Sequence, residues 1–194
     1  LKLYHSLGVD PETGMYGFED FNGDGIISRL EDREWVEDLA PKFYGGLGNT
    51  LSMGNFTLDV FFQFKKQKAL NNLLFGTVPG LKGNAPKEMY DRWQQPGDLV
   101  PFSRAYSGLV PIGDLDQYQQ QSNAAVSDAS FIRLRNISLN YKIPDIKEGL
   151  DINVYLQGQN HWTITGYKGP DPEQPTNTRL PALRQMTLGL QLSF

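Results

Sequence analysis

Apolar and polar residues alternate with a period of two through several stretches of this 194-residue chain. At its C-terminal end Met186, Leu188, Leu190, Leu192 and Phe194 fall on one parity, and Thr187, Gly189, Gln191 and Ser193 on the other. Successive side chains of a strand point to opposite faces, so the pattern predicts a strand with one apolar and one polar, uncharged face. Phe56, Leu58, Val60, Phe62 and Phe64 repeat the pattern against Thr57, Asp59, Phe61, Gln63 and Lys65. A buried Asp59 would be costly, so its face is expected to be wet. Ile137, Leu139 and Tyr141 oppose Asn136, Ser138 and Asn140, and Ile152, Val154 and Leu156 oppose Asn153, Tyr155 and Gln157. Arg133 and Arg135 share the parity of Ile137, which places them above an apolar band or beyond a bulge. The glycine-rich segment 43–51 and the start of the chain, residues 1–5, complete six expected strands.

The connections between these strands alternate in length. Residues 6–41, 66–130 and 161–183 are long; 53–55 and 143–150 are short. Tight turns at one end and long loops at the other are the habit of a transmembrane β-barrel, whose strands need about 9–11 tilted residues. A β-sandwich has no reason to alternate so regularly. The expected fold class is therefore all-β: six antiparallel strands of a transmembrane barrel, the three long loops extracellular and Phe194 at the periplasmic end.

Composition narrows the function. With 18 basic and 22 acidic residues the formal charge is −4, and there is no basic footprint for nucleic acid. Cysteine is absent, which excludes a disulfide framework and a thiolate metal site. No apolar run is long enough for a membrane helix, a test that barrel strands escape. The two histidines, His5 and His161, lie far apart with no nucleophile or acid at suggestive spacing, so no enzyme is expected. Asp171 and Glu173, flanked by prolines, are expected to be solvated loop acids.

One segment carries recognisable metal chemistry. Asp20-Phe21-Asn22-Gly23-Asp24-Gly25-Ile26-Ile27-Ser28-Arg29-Leu30-Glu31 fits the twelve-residue calcium loop at positions 1, 3, 5, 6 and 12. Oxygens of Asp20, Asn22, Asp24 and the Ile26 carbonyl would surround the ion, Gly25 would allow the sharp turn, and Glu31 would close the site. The flanking sequence makes a poor helix, so the loop is expected to be a structural calcium staple in an outward-facing loop, not a sensor. Trp93, Tyr106, Trp162 and Tyr167 are the expected contacts to substrate or partner, because aromatic faces supply stacking area. Trp162 and Tyr167 equally suit an interfacial aromatic girdle.

Several of these segments together resemble the C-terminal part of the SusC-like TonB-dependent outer-membrane transporters. They are residues 8–14 (Gly-Val-Asp-Pro-Glu-Thr-Gly), 20–25, 41–47 (Pro-Lys-Phe-Tyr-Gly-Gly-Leu), Arg92-Trp93 and 128–139 (Asp-Ala-Ser-Phe-Ile-Arg-Leu-Arg-Asn-Ile-Ser-Leu). Residues 157–160, 167–173 (Tyr-Lys-Gly-Pro-Asp-Pro-Glu) and 188–194 add to the match. The resemblance implies a C-terminal fragment of a plugged barrel of about 22 strands in the outer membrane of a Gram-negative bacterium. It further implies energised import of oligosaccharides or peptides and a SusD-like surface lipoprotein as partner. The TonB complex would act through a part of the protein not present here, the wall would meet outer-membrane lipid, and transporter–lipoprotein pairs could form a homodimer. One departure from the family pattern is that Glu31 is twelfth in the loop while Asp32-Arg33 follows one place later, leaving either carboxylate to close the site. Two other readings remain at this stage: a secreted, calcium-stapled β-sandwich that binds carbohydrate, and a TonB-dependent receptor for a siderophore or corrinoid.

Overall fold

The structure is a computed structural model that describes residues 1–71, 78–80, 82, 84–105, 112–147, 149–175 and 179–194, with the main chain alone at 112–114 and 145–147. The chain divides into two compact units, residues 1–39 with 68–127, and residues 40–67 with 128–194.

In the first unit, β1 (Lys2–Leu3) pairs with β4 (Trp35–Val36), and β2 (Ser6–Val9) pairs with β3 (Tyr16–Phe18). Residues 1–5 thus make a short local strand instead of the sixth strand expected of the barrel-like sheet; the Tyr4 backbone bonds to Gln121 and Asn123, and the His5 carbonyl accepts from Glu19 N. Tyr4, Tyr16 and Phe18 form the core here, packed by Val9, Ile27, Leu115 and Tyr118. Leu115 and Tyr118 come from α1 (Ile112–Gln120), the one α-helix among the described residues. Tyr118 lies 4.7 Å, ring to ring, from Tyr4 and edge-on to Phe18.

The second unit is a five-stranded antiparallel sheet made of β5 (Phe43–Met53), β6 (Phe56–Lys66), β9 (Phe131–Lys147), β10 (Leu150–Thr165) and β11 (Gln185–Ser193), in the order β11-β10-β9-β6-β5. Two short strands that follow β6 and precede β9 in the chain, β7 (Lys68–Leu70) and β8 (Val126–Asp128), pair in a sheet of their own, which falls in the first unit but for Asp128. Gly54, at φ 58°, takes the first place of the two-residue Gly54-Asn55 loop, where a primed hairpin turn requires a positive φ.

Register fixes the faces. Phe56, Leu58, Val60, Phe62 and Phe64 stand opposite Tyr141, Leu139, Ile137, Leu134 and Ile132. Ile152, Val154 and Leu156 continue that face across Ile143, Tyr141 and Leu139 to Leu192, Leu190 and Leu188. Among the described residues no large apolar side chain on this face is buried, and Leu188, at 74 % exposure, shows how open it is. The other face carries Asp59, Gln63, Asn140, Ser138, Asn153, Gln157 and Gln191.

A bulge interrupts this order at Arg135. β6 passes from Asn136 to Leu134 without pairing Arg135, and β10 passes from Gln159 to Trp162 over the same place. The extra residue reverses parity, so Arg133 and Phe131 come onto the polar face opposite Gln63 and Lys65. The bulge alternative of the sequence reading is the one the chain adopts.

Candidate functional site

Two places gather chemistry, one in each unit. The first is the acidic loop 20–32. Asp20 accepts hydrogen bonds from the Gly23 and Gly25 N–H groups, both at 2.7 Å. Asn22 Oδ1 accepts from Asp24 N, and Asp24 Oδ1 from Ile26 N. This chain of side chain-to-backbone bonds coils the loop around its own carboxylates. The Asn22 Nδ2 group donates to Asp24 Oδ2 and to Glu31 Oε2, both at 3.0 Å. An amide donor thus bridges two carboxylates at the place where a cation would meet them. Asn22, Asp24 and Glu31 therefore converge, with Asp20 and Ile26 on the same turn of chain.

Asp32 acts differently. Its side chain is fully buried, with Oδ1 accepting from Phe21 N and Oδ2 from Ser28 N. The Ser28 hydrogen bond, against burial and helped by Phe21 and Asn22, holds its carboxyl below the usual carboxylate range. Asp32 braces the loop from within, while the exposed Glu31 meets the Asn22 amide. Among the described residues no three His, Asp or Glu side chains stand together as a cage. An ion here would thus need the Asn22 amide oxygen and a main-chain carbonyl, the mixed oxygen set that calcium takes.

The expected aromatic contacts separate. Trp93 packs face-on against Gly14, whose added Cβ would fall 2.5 Å from the ring, and its Nε1 donates to the Pro11 carbonyl at 2.7 Å. Trp162 lies on the apolar face opposite Leu134 and is 54 % exposed. Tyr167 is buried in the connection after β10. Tyr106 lies outside the described residues.

The second place is on the polar face of the sheet. Arg133 donates from Nε to Thr163 Oγ1 at 2.9 Å, from one terminal nitrogen to Glu173 at 2.8 Å and from the other to Asp171 at 2.7 Å. Arg135 donates from Nε to Gln63, from one terminal nitrogen to Asn160 Oδ1 at 3.0 Å, and from the other to Glu173. Burial by itself would raise the Asp171 carboxyl, but Arg133 and the Glu173 and Ala182 N–H groups hold it below its ordinary value. Asp171 and Glu173 are thus ion-paired, not simply solvated as the sequence reading had them. The signal lay in the matched spacing: two arginines two apart on a strand, two acids two apart in a loop.

With this geometry in place, the chain can be set beside known proteins. It is 28 % identical to TonB-dependent receptor P3 of Formosa agariphila over 97 % of this chain. It is 30 % identical to TonB-dependent receptor P26 of the same organism over 95 %, and 28 % identical to TonB-dependent receptor SusC of Bacteroides thetaiotaomicron over 91 %. The chain is homologous to the SusC-like TonB-dependent receptors. It spans about one fifth of the length of these curated relatives: 20 % of P3 and of P26, and 17 % of SusC. No family model matches it. Solved structures of the RagAB peptide importer superpose on the whole chain with TM-scores of 0.79 to 0.80 at 23 % identity, covering 22–23 % of those chains. The fold of this homologue of the SusC-like receptors is thus that of a TonB-dependent barrel wall.

Proposed function

We propose that this chain forms the C-terminal part of the wall of an outer-membrane active importer, with β5, β6, β9, β10 and β11 crossing the bilayer. The observation that carries the reading is the sheet's apolar face, which no described element buries and which lies back to back with a face carrying Asp59, Gln63, Asn140, Gln157 and Gln191. An apolar surface of this extent meets lipid or another apolar partner, and a soluble sandwich would have to cover it with a second sheet. The opposite face is polar enough to line a wet or plugged lumen.

The outer membrane is where TonB-dependent receptors reside. The cargo we propose is an oligosaccharide or peptide, taken up with a SusD-like surface lipoprotein and energised through the TonB complex. Support comes from homology to a protein named SusC and from a fold shared with a protein described as a peptide importer. We further propose that loop 20–32 holds one structural calcium ion through Asp20, Asn22, Asp24, the Ile26 carbonyl and Glu31. The convergence of Asn22, Asp24 and Glu31 supports that set.

The test is fractionation and growth. The full-length protein should appear in detergent extracts of the outer membrane with heat-modifiable mobility, and its deletion should abolish growth on peptides or on oligosaccharides as sole source. Recovery in the soluble fraction would overturn the barrel reading. Unimpaired growth on both classes would overturn the cargo.

A further inference from the structure

The strand bulge, the main-chain strain beside it and the uneven burial of the charges on the polar face converge on one site. The bulge at Arg135 is what brings two guanidinium groups onto that face. Opposite it Asn160 adopts φ 57°, the one non-glycine positive φ among the described residues, and its side chain ties Arg135 to the Leu183 carbonyl. Bulges and such strained residues persist where they aim a side chain.

Each guanidinium is set first by the wall. Thr163 fixes Arg133 through Nε, while Gln63 and Asn160 fix two of the three nitrogens of Arg135. The nitrogen of Arg135 that the wall leaves over points at Glu173, which reaches in from the β10–β11 connection. Burial divides this network in two. Arg133 and Asp171 are each 5 % exposed at the side chain, whereas Arg135 and Glu173 are 25 % and 23 % exposed. The inner pair is closed to solvent and the outer pair is open to exchange. If Glu173 leaves, Arg133 keeps Asp171 and no buried charge is stranded.

We propose that Arg135, with Arg133 behind it, is a binding site for a carboxylate group of a solute, and that Glu173 is its resident, exchangeable occupant. A planar guanidinium held by its surroundings before the ligand arrives loses little entropy on binding and matches a carboxylate fork. A solute acid would take over the donors now given to Glu173, and the released glutamate side chain would turn to solvent while Asp171 and Pro172 hold the connection in place. The inference rests on the polar face being a solute-facing lumen.

Binding of glutarate, and of glutaramide as an uncharged control, is measured by calorimetry on the full-length protein in detergent at fixed ionic strength. Glu173→Gln removes the competing charge and keeps the shape, so it should bind glutarate about tenfold more tightly than the parent. Arg135→Gln should abolish glutarate binding, Arg135→Lys should restore it in part, and glutaramide should bind to none. Equal glutarate affinity in the parent and Glu173→Gln, or equal binding of glutaramide, overturns the proposal. If Arg135→Gln does not assemble, the Glu173→Gln comparison decides alone. Heat-modifiable mobility of the parent separates the two failures: an assembled barrel with no response sinks this site alone, while a soluble protein sinks the membrane reading and, with it, the lumen on which this site rests.

Discussion

Asp116 is the residue whose protonation the fold controls most visibly. Its carboxylate is buried on α1, accepts one hydrogen bond from Ser103 Oγ at 3.3 Å, and leaves Oδ2 without a partner among the described residues. Burial, against the Ser103 hydrogen bond, pushes its pKa up to about 6. Tyr16, packed nearby, is raised by burial and by that same carboxylate. A raised carboxyl binds protons more tightly folded than unfolded, so stability increases as pH falls from above 6 towards the ordinary carboxylate value. Helix protection in residues 115–120, followed by hydrogen exchange, should therefore rise by about 1–3 kcal/mol between pH 7.5 and pH 4.5. Asp116→Asn should flatten that dependence. The acidic loop gives a second residue-level outcome. Removing calcium should speed exchange in residues 20–31, with half-effect on the order of 10⁻⁴–10⁻³ M calcium as in extracellular modules. Glu31→Ala should abolish the response, whereas Asp32→Ala should unravel the loop with or without calcium, because Asp32 holds two backbone N–H groups. A loop indifferent to calcium would end the metal assignment.

Between elements, what counts is which face a strand position occupies. Val60 and Asp59 are neighbours on β6 but stand opposite Ile137 and Ser138, on different faces of the sheet. Arginine at Val60 should cost about 2–4 kcal/mol near the bilayer midplane, while the same change at Asp59 should be tolerated far better. Assembly assays in which the two variants fail equally would show the faces to be wrongly assigned. The connection after β10 is fixed by a buried pair instead of by strand pairing. Gln67 Nε2 donates to the Pro172 carbonyl at 2.6 Å, and Asp171 meets Arg133 beneath it. Asp171→Asn takes from the buried Arg133 the more buried of its two acid partners and leaves it Glu173, at a cost below the about 3–5 kcal/mol of a fully stranded charge. Hydrogen exchange across 167–173 should show that loss locally, with β5 and β6 unchanged.

At the level of the whole molecule, the sheet has two open edges among the described residues, where β5 and β11 each pair on one side alone. Unpaired edge groups do not survive in hydrocarbon, so a wall of this kind stands in a membrane as part of a closed barrel. The chain's share of about one fifth of its relatives accords with that. Residues 1–194 expressed alone are accordingly expected to stay out of the outer membrane, whereas the full-length protein inserts. Insertion of the isolated segment with full protease resistance would contradict the open-edge argument.

The alternation of apolar and polar residues, read from the sequence alone, determined the strands at 56–66 and 185–193 and the face of each residue on them, because a strand's period is a local property of the backbone; the glycine-rich segment 43–51 was legible as a strand without a face. The tight turn at Gly54 and the self-coiled acidic loop were legible for the same reason, since their bonds span two to nine residues. Arg133 and Arg135 were legible only as a conflict of parity. Resolving it required a bulge whose two missing pairings lie on different strands. Their partners Asp171 and Glu173 come from about 40 residues away, as the separations of 38 and 40 show, and no local pattern announces such a meeting. The strand at residues 1–5 failed in the same way: Lys2 and Leu3 carry β-like residues, but which chain they pair with was decided by Trp35 and Val36 and by the buried Tyr4. Periodicity assigns a residue to a face; which distant residue meets it there is set by packing, and packing exists only in the folded chain.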